Sequence, residues 1–449
     1  MRVVAFGNRT ASARQLVVVV RSPALTDASQ KHPKGLPVLF AAEMWERFSF
    51  YSMLSMFTLY LQNERDGFGW TKAQATGLYA NYLMFVYASP LVGGWIADRK
   101  LGQVRAVMLG AVFFMAGHLL LSFRSMTAVY AALACLVVGN GFFKPNVSAM
   151  VGALYPEGSP LKDRAYNIFY MGINIGAFIA PLCAEFVKSR WGFHPAFAVA
   201  AGGMVISLAI LSAFKRYLVP APRADGAPGA AKRSELGAPL DAVPDSHRIG
   251  ALLVVYAIVI VFWMVFHQNG STLTYFAEYN TDWEVSGVIS SAINPFFVIT
   301  MTFPLVWVWK RLAARGLEPS TPAKIAIGML LTAASFYVMY FAGKAGGDTG
   351  RVSPLWLIGA YAIVTLAELM LSPMGLSLVS KVAPAKHRSL MMGGWFAATA
   401  IGNKLTAIGV YWDEWRHSTF FAVLATMALA MAGLLFAILP RLKKAMPGV

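Results

Sequence analysis

The stretch Ala41-Ala42-Glu43-Met44-Trp45-Glu46-Arg47-Phe48-Ser49-Phe50-Tyr51 lies inside an apolar segment that runs on to Leu61, yet it holds three ionisable side chains. A charge near the centre of a membrane helix costs at least about 2.5–3.5 kcal/mol on insertion scales, so such residues face a bundle interior or a watery cavity and pair with one another. Helical spacing gathers them. Glu43, Glu46, Arg47, Phe50, Tyr51 and Leu54 fall at i, i+3, i+4, i+7, i+8 and i+11, which is one face of a helix. The stretch predicts a membrane helix with a polar stripe turned inward, and the rest of the chain must supply partners for it.

Composition outside the stretch agrees. Of 449 residues 57% are hydrophobic and 13% charged, against about 25% charged in soluble domains. Apolar runs of 18 or more residues recur, each long enough to cross a ~30 Å hydrocarbon core at ~1.5 Å rise per residue. A water-soluble fold is excluded. The pattern predicts an all-α integral membrane protein with twelve transmembrane helices, roughly 36–62, 72–97, 103–123, 126–153, 163–187, 194–214, 249–276, 287–309, 323–343, 354–380, 389–411 and 418–439. Between the sixth and seventh lies a polar, Pro/Gly/Ala-rich stretch that reads as a linker. The expected organisation is a tail over 1–35, a six-helix bundle over 36–217, a linker over 218–247, a second bundle over 248–440 and a tail over 441–449. A six-plus-six layout implies pseudo-symmetric bundles with a substrate cavity between them near the midplane.

A net charge of +17 would point to nucleic acid in a soluble protein, but here the cations sit in alternate inter-span loops. Lys100 and Arg105, Lys162 and Arg164, Lys215 and Arg216, Lys310 and Arg311, Lys386 and Arg388, and Lys443 and Lys444 fall on one side. The positive-inside rule makes that side, and both termini, cytoplasmic. The charge is read as topology; a lipid bilayer is the expected surroundings and nucleic acid is not an expected partner. Residues 1–35 show no signal-peptide pattern. Cys135 and Cys183 lie in apolar runs and read as packing residues.

Several further residues bear on chemistry. Lys144, in Gly141-Phe142-Phe143-Lys144-Pro145-Asn146, sits well inside span four; it is either an interior cation or a side chain that snorkels to the interface. Glu368 lies mid-span in span ten, ahead of Pro373 and Gly375. A cation in one bundle and an anion in the other can pair when one side of a cavity shuts, which makes Lys144 and Glu368 a candidate gating pair. His267 in span seven has an ordinary pKa near ~6.5 and can exchange protons, though a lone histidine also serves as a hydrogen-bonded structural residue. Asn174, Asn294 and Asn403 offer donors and acceptors suited to amide groups, or stitch membrane helices together. None of the seven histidines forms an H-E-x-x-H pattern, so neither an enzyme nor a metal or other cofactor is expected.

The loop Gly93-Gly94-Trp95-Ile96-Ala97-Asp98-Arg99-Lys100-Leu101-Gly102-Gln103-Val104-Arg105 resembles the loop that marks the major facilitator superfamily. More specifically, six ordered motifs look like those of the proton-dependent oligopeptide transporters of that superfamily: Glu43-x-x-Glu46-Arg47-Phe48-x-x-Tyr51, Gly141-Phe142-Phe143-Lys144-Pro145-Asn146, Phe169-Tyr170-x-x-Ile173-Asn174-x-Gly176, Gln268-x-Gly270-Ser271, Glu368-x-x-x-Ser372-Pro373-x-Gly375-Leu376-Ser377 and Met391-Met392-x-x-Trp395-Phe396. They span about residues 36 to 440. The resemblance implies a major facilitator fold and proton-coupled import of di- and tripeptides by alternating access, with protons as coupling ion, in the cell inner membrane, a monomer sufficing. It implies proton coupling by Glu43, Glu46 and Arg47 with Lys144 nearby, and a peptide carboxylate drawn to Arg47 and Lys144. Glu368, Asn174 and Asn294 would hold the amino end, while Tyr51, Tyr87 and Trp395 would line the cavity. His267 is assigned a modulatory part in proton coupling. Relatives that move nitrate or another small solute keep a second substrate reading open.

Three positions depart from the family pattern. Phe50 replaces a second tyrosine, Leu54 stands where many members have another arginine, and His267 replaces an acidic residue before the glutamine of span seven. The last two are linked in the family as an ion pair, so losing both avoids a buried unpaired charge that would cost roughly 3–5 kcal/mol.

Overall fold

The structure is a computed structural model and describes residues 32–155, 160–220, 242–384 and 387–447. Most of the expected N-terminal tail and of the linker therefore lies outside the described residues. Twelve long helices run through them: α1 (Gly35–Gln62), α2 (Lys72–Ile96), α3 (Gln103–Leu120), α4 (Met126–Ala153), α5 (Pro160–Trp191), α6 (Phe193–Ala213), α7 (Asp245–Phe266), α8 (Ser290–Ala314), α9 (Thr321–Ala345), α10 (Pro354–Val382), α11 (Arg388–Leu405) and α12 (His417–Ala445). Among the described residues nine helical stretches are long and apolar enough to cross a membrane. Helices α1, α2 and α11 are not among them, and in α1 the cause is visible: its polar stripe, with Glu43, Glu46 and Arg47, is buried inside the protein.

Local chemistry sets the helix ends. Thr71 and Gln74 form a capping box at the start of α2, each side chain meeting the other's backbone N–H at 3.0–3.2 Å. Helix α2 runs into a π-helical turn, Ala97–Leu101, and Gly102, at φ 75°, turns the chain into α3. Span seven differs from the continuous helix that its apolar run predicts. It breaks after Phe266 into a 3-10 turn, His267–Gly270, before a two-turn helix, Thr272–Tyr279, completes it. At the end of that turn α2 packs closely: a Cβ on Gly270 would lie 1.9 Å from the Tyr79 hydroxyl, so only glycine lets α2 come this close. Helix α12 continues to Ala445, six residues beyond the span expected from hydropathy, and its last turn carries Lys443 and Lys444, favourable at a helix C-terminus.

Packing divides the helices into two like sets. In the first, α1 packs on α5 and α6, α3 on α4 and α6, and α2 on α4. Six helices further on the same pairs recur: α7 with α11 and α12, α9 with α10 and α12, and α8 with α10. The fold is two six-helix bundles of the same internal design, as in the major facilitator fold. They meet along two seams, α2 against α11 and α5 against α8.

The end where α1 finishes and α2 begins is here called the first end. Among the described residues six side-chain hydrogen bonds cross between the bundles, and these lie towards it. Thr58 Oγ1 donates to Gly270 O (3.2 Å), Thr76 Oγ1 lies 3.0 Å from Tyr275 Oη, and Tyr79 Oη donates to His267 O (3.5 Å). Lys72 pairs with Asp413 (2.7 Å), Lys188 donates to Ser286 Oγ (2.6 Å) and Lys404 donates to Asn81 Oδ1.

Candidate functional site

Helix α1 holds Glu43, Glu46 and Arg47 at 1%, 0% and 3% exposure. Their spacing lets one guanidinium serve both carboxylates. Arg47 Nη2 donates to Glu46 Oε1 at 2.6 Å, Nε pairs with Glu46 Oε2, and the same Nε lies 3.4 Å from Glu43 Oε1. Such fork geometry is what arginine, not lysine, provides. The guanidinium also sits 4.9 Å from the centroid of Phe50, so the departure from tyrosine leaves an aromatic platform under the cation. Glu43 Oε2 is buried and has no hydrogen-bond partner among the described residues.

Two carboxylates and one guanidinium leave the triad one negative charge in excess. Lys144 on α4, half-buried, lies within electrostatic reach of Glu43, Glu46 and Arg47 and balances it. Its Nζ stands 5.1 Å over the ring of Tyr87, which in turn meets His267 edge-on at 5.5 Å. His267 is buried, with Nδ1 3.3 Å from Trp263 O. A carbonyl only accepts, so Nδ1 carries the hydrogen.

In the second bundle Asn294 Nδ2 donates to Glu368 Oε2 and to Thr365 Oγ1, both at 2.9 Å, and Thr365 Oγ1 donates back to Tyr361 O at 2.7 Å. Tyr51 and Tyr87 each lie within electrostatic reach of Arg47 on one side and Glu368 on the other. The α1 cluster and Glu368 thus flank one inter-bundle space. Lys144 and Glu368 are both near it, but among the described residues no ion pair joins them.

Two further expected binding residues have partners inside their own bundles. Asn174 Nδ2 donates to Tyr170 O on its own helix at 2.9 Å. Trp395 is buried in the second bundle, edge-on to Tyr256 at 6.2 Å and over Gly375, where a Cβ would come within 1.8 Å of the indole. Thr365, which anchors Asn294, escapes the sequence reading; its signal was its place three residues before Glu368, on the same helical face.

Two like bundles closed on each other at one end, with acidic and basic side chains buried between them, define a secondary transporter. The sequence profile of the POT family matches residues 104–228 and 229–417. The chain is 30% identical to a di-/tripeptide transporter of Lactococcus lactis subsp. cremoris over 93% of its own length and 97% of that protein's, and 32% identical to the peptide transporter YePEPT of Yersinia enterocolitica over 83% and 86%. A crystal structure of a peptide transporter POT in complex with sulfate superposes with a TM-score of 0.85 at 29% identity, covering 93% of this chain and 96% of that one. The chain belongs to the POT family: it is a multi-pass membrane transporter, not an enzyme.

Proposed function

We propose that the protein imports di- and tripeptides together with protons, by alternating access between two bundles bounded near residues 36–217 and 248–440. The observation that carries this is the opposition of Glu43-Glu46-Arg47, with Lys144, to Glu368 and Asn294. A peptide backbone is a zwitterion, and a site with a cation on one wall and a carboxylate on the other matches both its ends. Nitrate would use the cations and leave Glu368 without purpose. The relatives' names favour peptides as well.

Proton coupling follows from competition for Arg47. While both glutamates are ionised they hold the guanidinium; Glu43 Oε2, which has no hydrogen-bond partner among the described residues, is where a proton arrives without breaking the Arg47–Glu46 fork. A second proton on Glu46 loosens the fork and releases Arg47, with Lys144, to a peptide carboxylate. Tyr51 and Tyr87 stand between the clusters and contact the peptide, Asn174 lends its amide, Trp395 supports the wall of the second bundle, and His267 tunes the site through Tyr87. The unpaired Lys144 and Glu368, together with a first end bonded shut, support a state open at the second end, with their ion pair reserved for the opposite state. The basic loops at the second end make that end, and both termini, cytoplasmic. The membrane is the inner membrane, twelve helices cross it, and one chain suffices.

Reconstituted into proteoliposomes, the protein is expected to accumulate dialanine when an inward proton gradient is imposed, with tripeptides competing and nitrate not. Glu46→Gln is expected to lose gradient-driven uptake. No uptake from a panel of di- and tripeptides would sink the proposal, as would driven uptake at the parent rate in Glu46→Gln.

A further inference from the structure

The two seams between the bundles carry the same device twice. On the α5–α8 seam Lys188 Nζ donates to Ser286 Oγ, 2.6 Å away and just ahead of α8. On the α2–α11 seam Lys404 Nζ donates to Asn81 Oδ1. Helices α5 and α11 are the fifth of their bundles, and α2 and α8 the second. The helices joined therefore follow the repeat that relates the bundles, fifth helix to second on each seam, although Ser286 precedes its helix and Asn81 lies ten residues into its own; the bonds run from first bundle to second on one seam and from second to first on the other.

We propose that Lys188 and Lys404 are two clasps, one on each of the two equivalent seams, that close the first end, gating residues beyond Lys144 and Glu368. The proposal rests on the alternating-access reading above. Both acceptors are neutral, and that suits a bond that must break in every cycle. Opening leaves no carboxylate stranded on the facing bundle, as rupture of a buried ion pair would. Lys188 keeps Glu185, 2.8 Å away on its own helix, as counter-ion. Both lysines lie near a helix end, where a long stem can carry the ammonium to water. The acceptor on the α5–α8 seam is also held in place, because Ser286 Oγ accepts from Val288 N at 3.2 Å. A charged donor makes each bond stronger than a neutral one, so two of them hold a closed state that neutral bonds alone would hold less firmly.

The test reads how often the first end opens. Thr76 is buried there, beside Tyr275 and Gly409 of the other bundle, so in a Cys135→Ala, Cys183→Ala background a Thr76→Cys reporter reacts with maleimide only on opening. In detergent-solubilised full-length protein, Lys404→Gln and Asn81→Ala are each expected to raise the labelling rate about tenfold, the loss of one charge-assisted bond. Together they should do no more than either alone, since they remove the same bond. Lys188→Gln and Ser286→Ala should behave likewise, and one change from each seam should multiply. Lys→Arg at either position should keep labelling slow. Parent-like rates in both variants of either seam would overturn the proposal, as would within-seam changes that multiply. Peptide uptake by the parent tests the underlying reading separately: its absence overturns that reading whatever the labelling pattern.

Discussion

At the scale of single residues, the site is built from charges that have partners and from a few polar atoms that do not. His267 shows how much hangs on one substitution. With Nδ1 committed to Trp263 O, its remaining nitrogen is Nε2, and its ring edge touches Tyr87, whose face carries Lys144. An amide in its place keeps a donor for the carbonyl but cannot take up a proton. His267→Asn is expected to alter the pH dependence of uptake; an unchanged profile removes His267 from the proton path. The α1 cluster was legible in the sequence because glutamates and arginine at i, i+3 and i+4 share a helical face whatever surrounds them. The ties around Glu368 were only half legible. That Asn294 reaches it depends on how α8 packs on α10, and no spacing along one helix encodes a contact between two.

Single helices meet at this scale through glycines, and here packing can be tested apart from chemistry. A Cβ on Gly93 of α2 would lie 2.0 Å from Gly141 O of α4, a backbone atom that cannot step aside. Gly202 of α6 has nothing within 4 Å of that position. Gly93→Ala is expected to force α2 and α4 apart and to cost roughly 1–3 kcal/mol, as overpacking generally does, seen as a fall in the melting temperature of the purified protein. Gly202→Ala should leave that temperature unchanged or raise it slightly, because alanine is the better helix former. Equal melting temperatures for the two variants would refute this account of the α2–α4 contact. Helix positions were readable from apolar runs, since a membrane solvent imposes length directly. The close approach of α2 to span seven was not: Gly270 looks like any membrane glycine until the Tyr79 hydroxyl is seen against it.

For the molecule as a whole, the asymmetry between its ends makes a claim about the transport cycle. If the first end must open for peptide to enter, a covalent bond across that end has to stop transport without harming either bundle. The structure offers a site for one. An ideal Cβ at Gly409 lies 2.9 Å from Thr76 Cγ2, and a γ atom on Thr76 occupies the kind of position a cysteine sulfur takes. In a disulfide each sulfur stands about 3 Å from the opposite Cβ, with the two Cβ atoms roughly 3.5–4.5 Å apart. Thr76→Cys with Gly409→Cys, lacking Cys135 and Cys183, is therefore expected to cross-link under mild oxidation. The oxidised protein should lose uptake, and a reductant should restore it. On the proposed reading, in which Arg47, Lys144 and Glu368 receive the peptide from the second end, peptide binding in detergent should survive oxidation. Uptake at the reduced rate in fully cross-linked protein would mean that the bundles need not part at the first end, and alternating access would have to be abandoned for this chain.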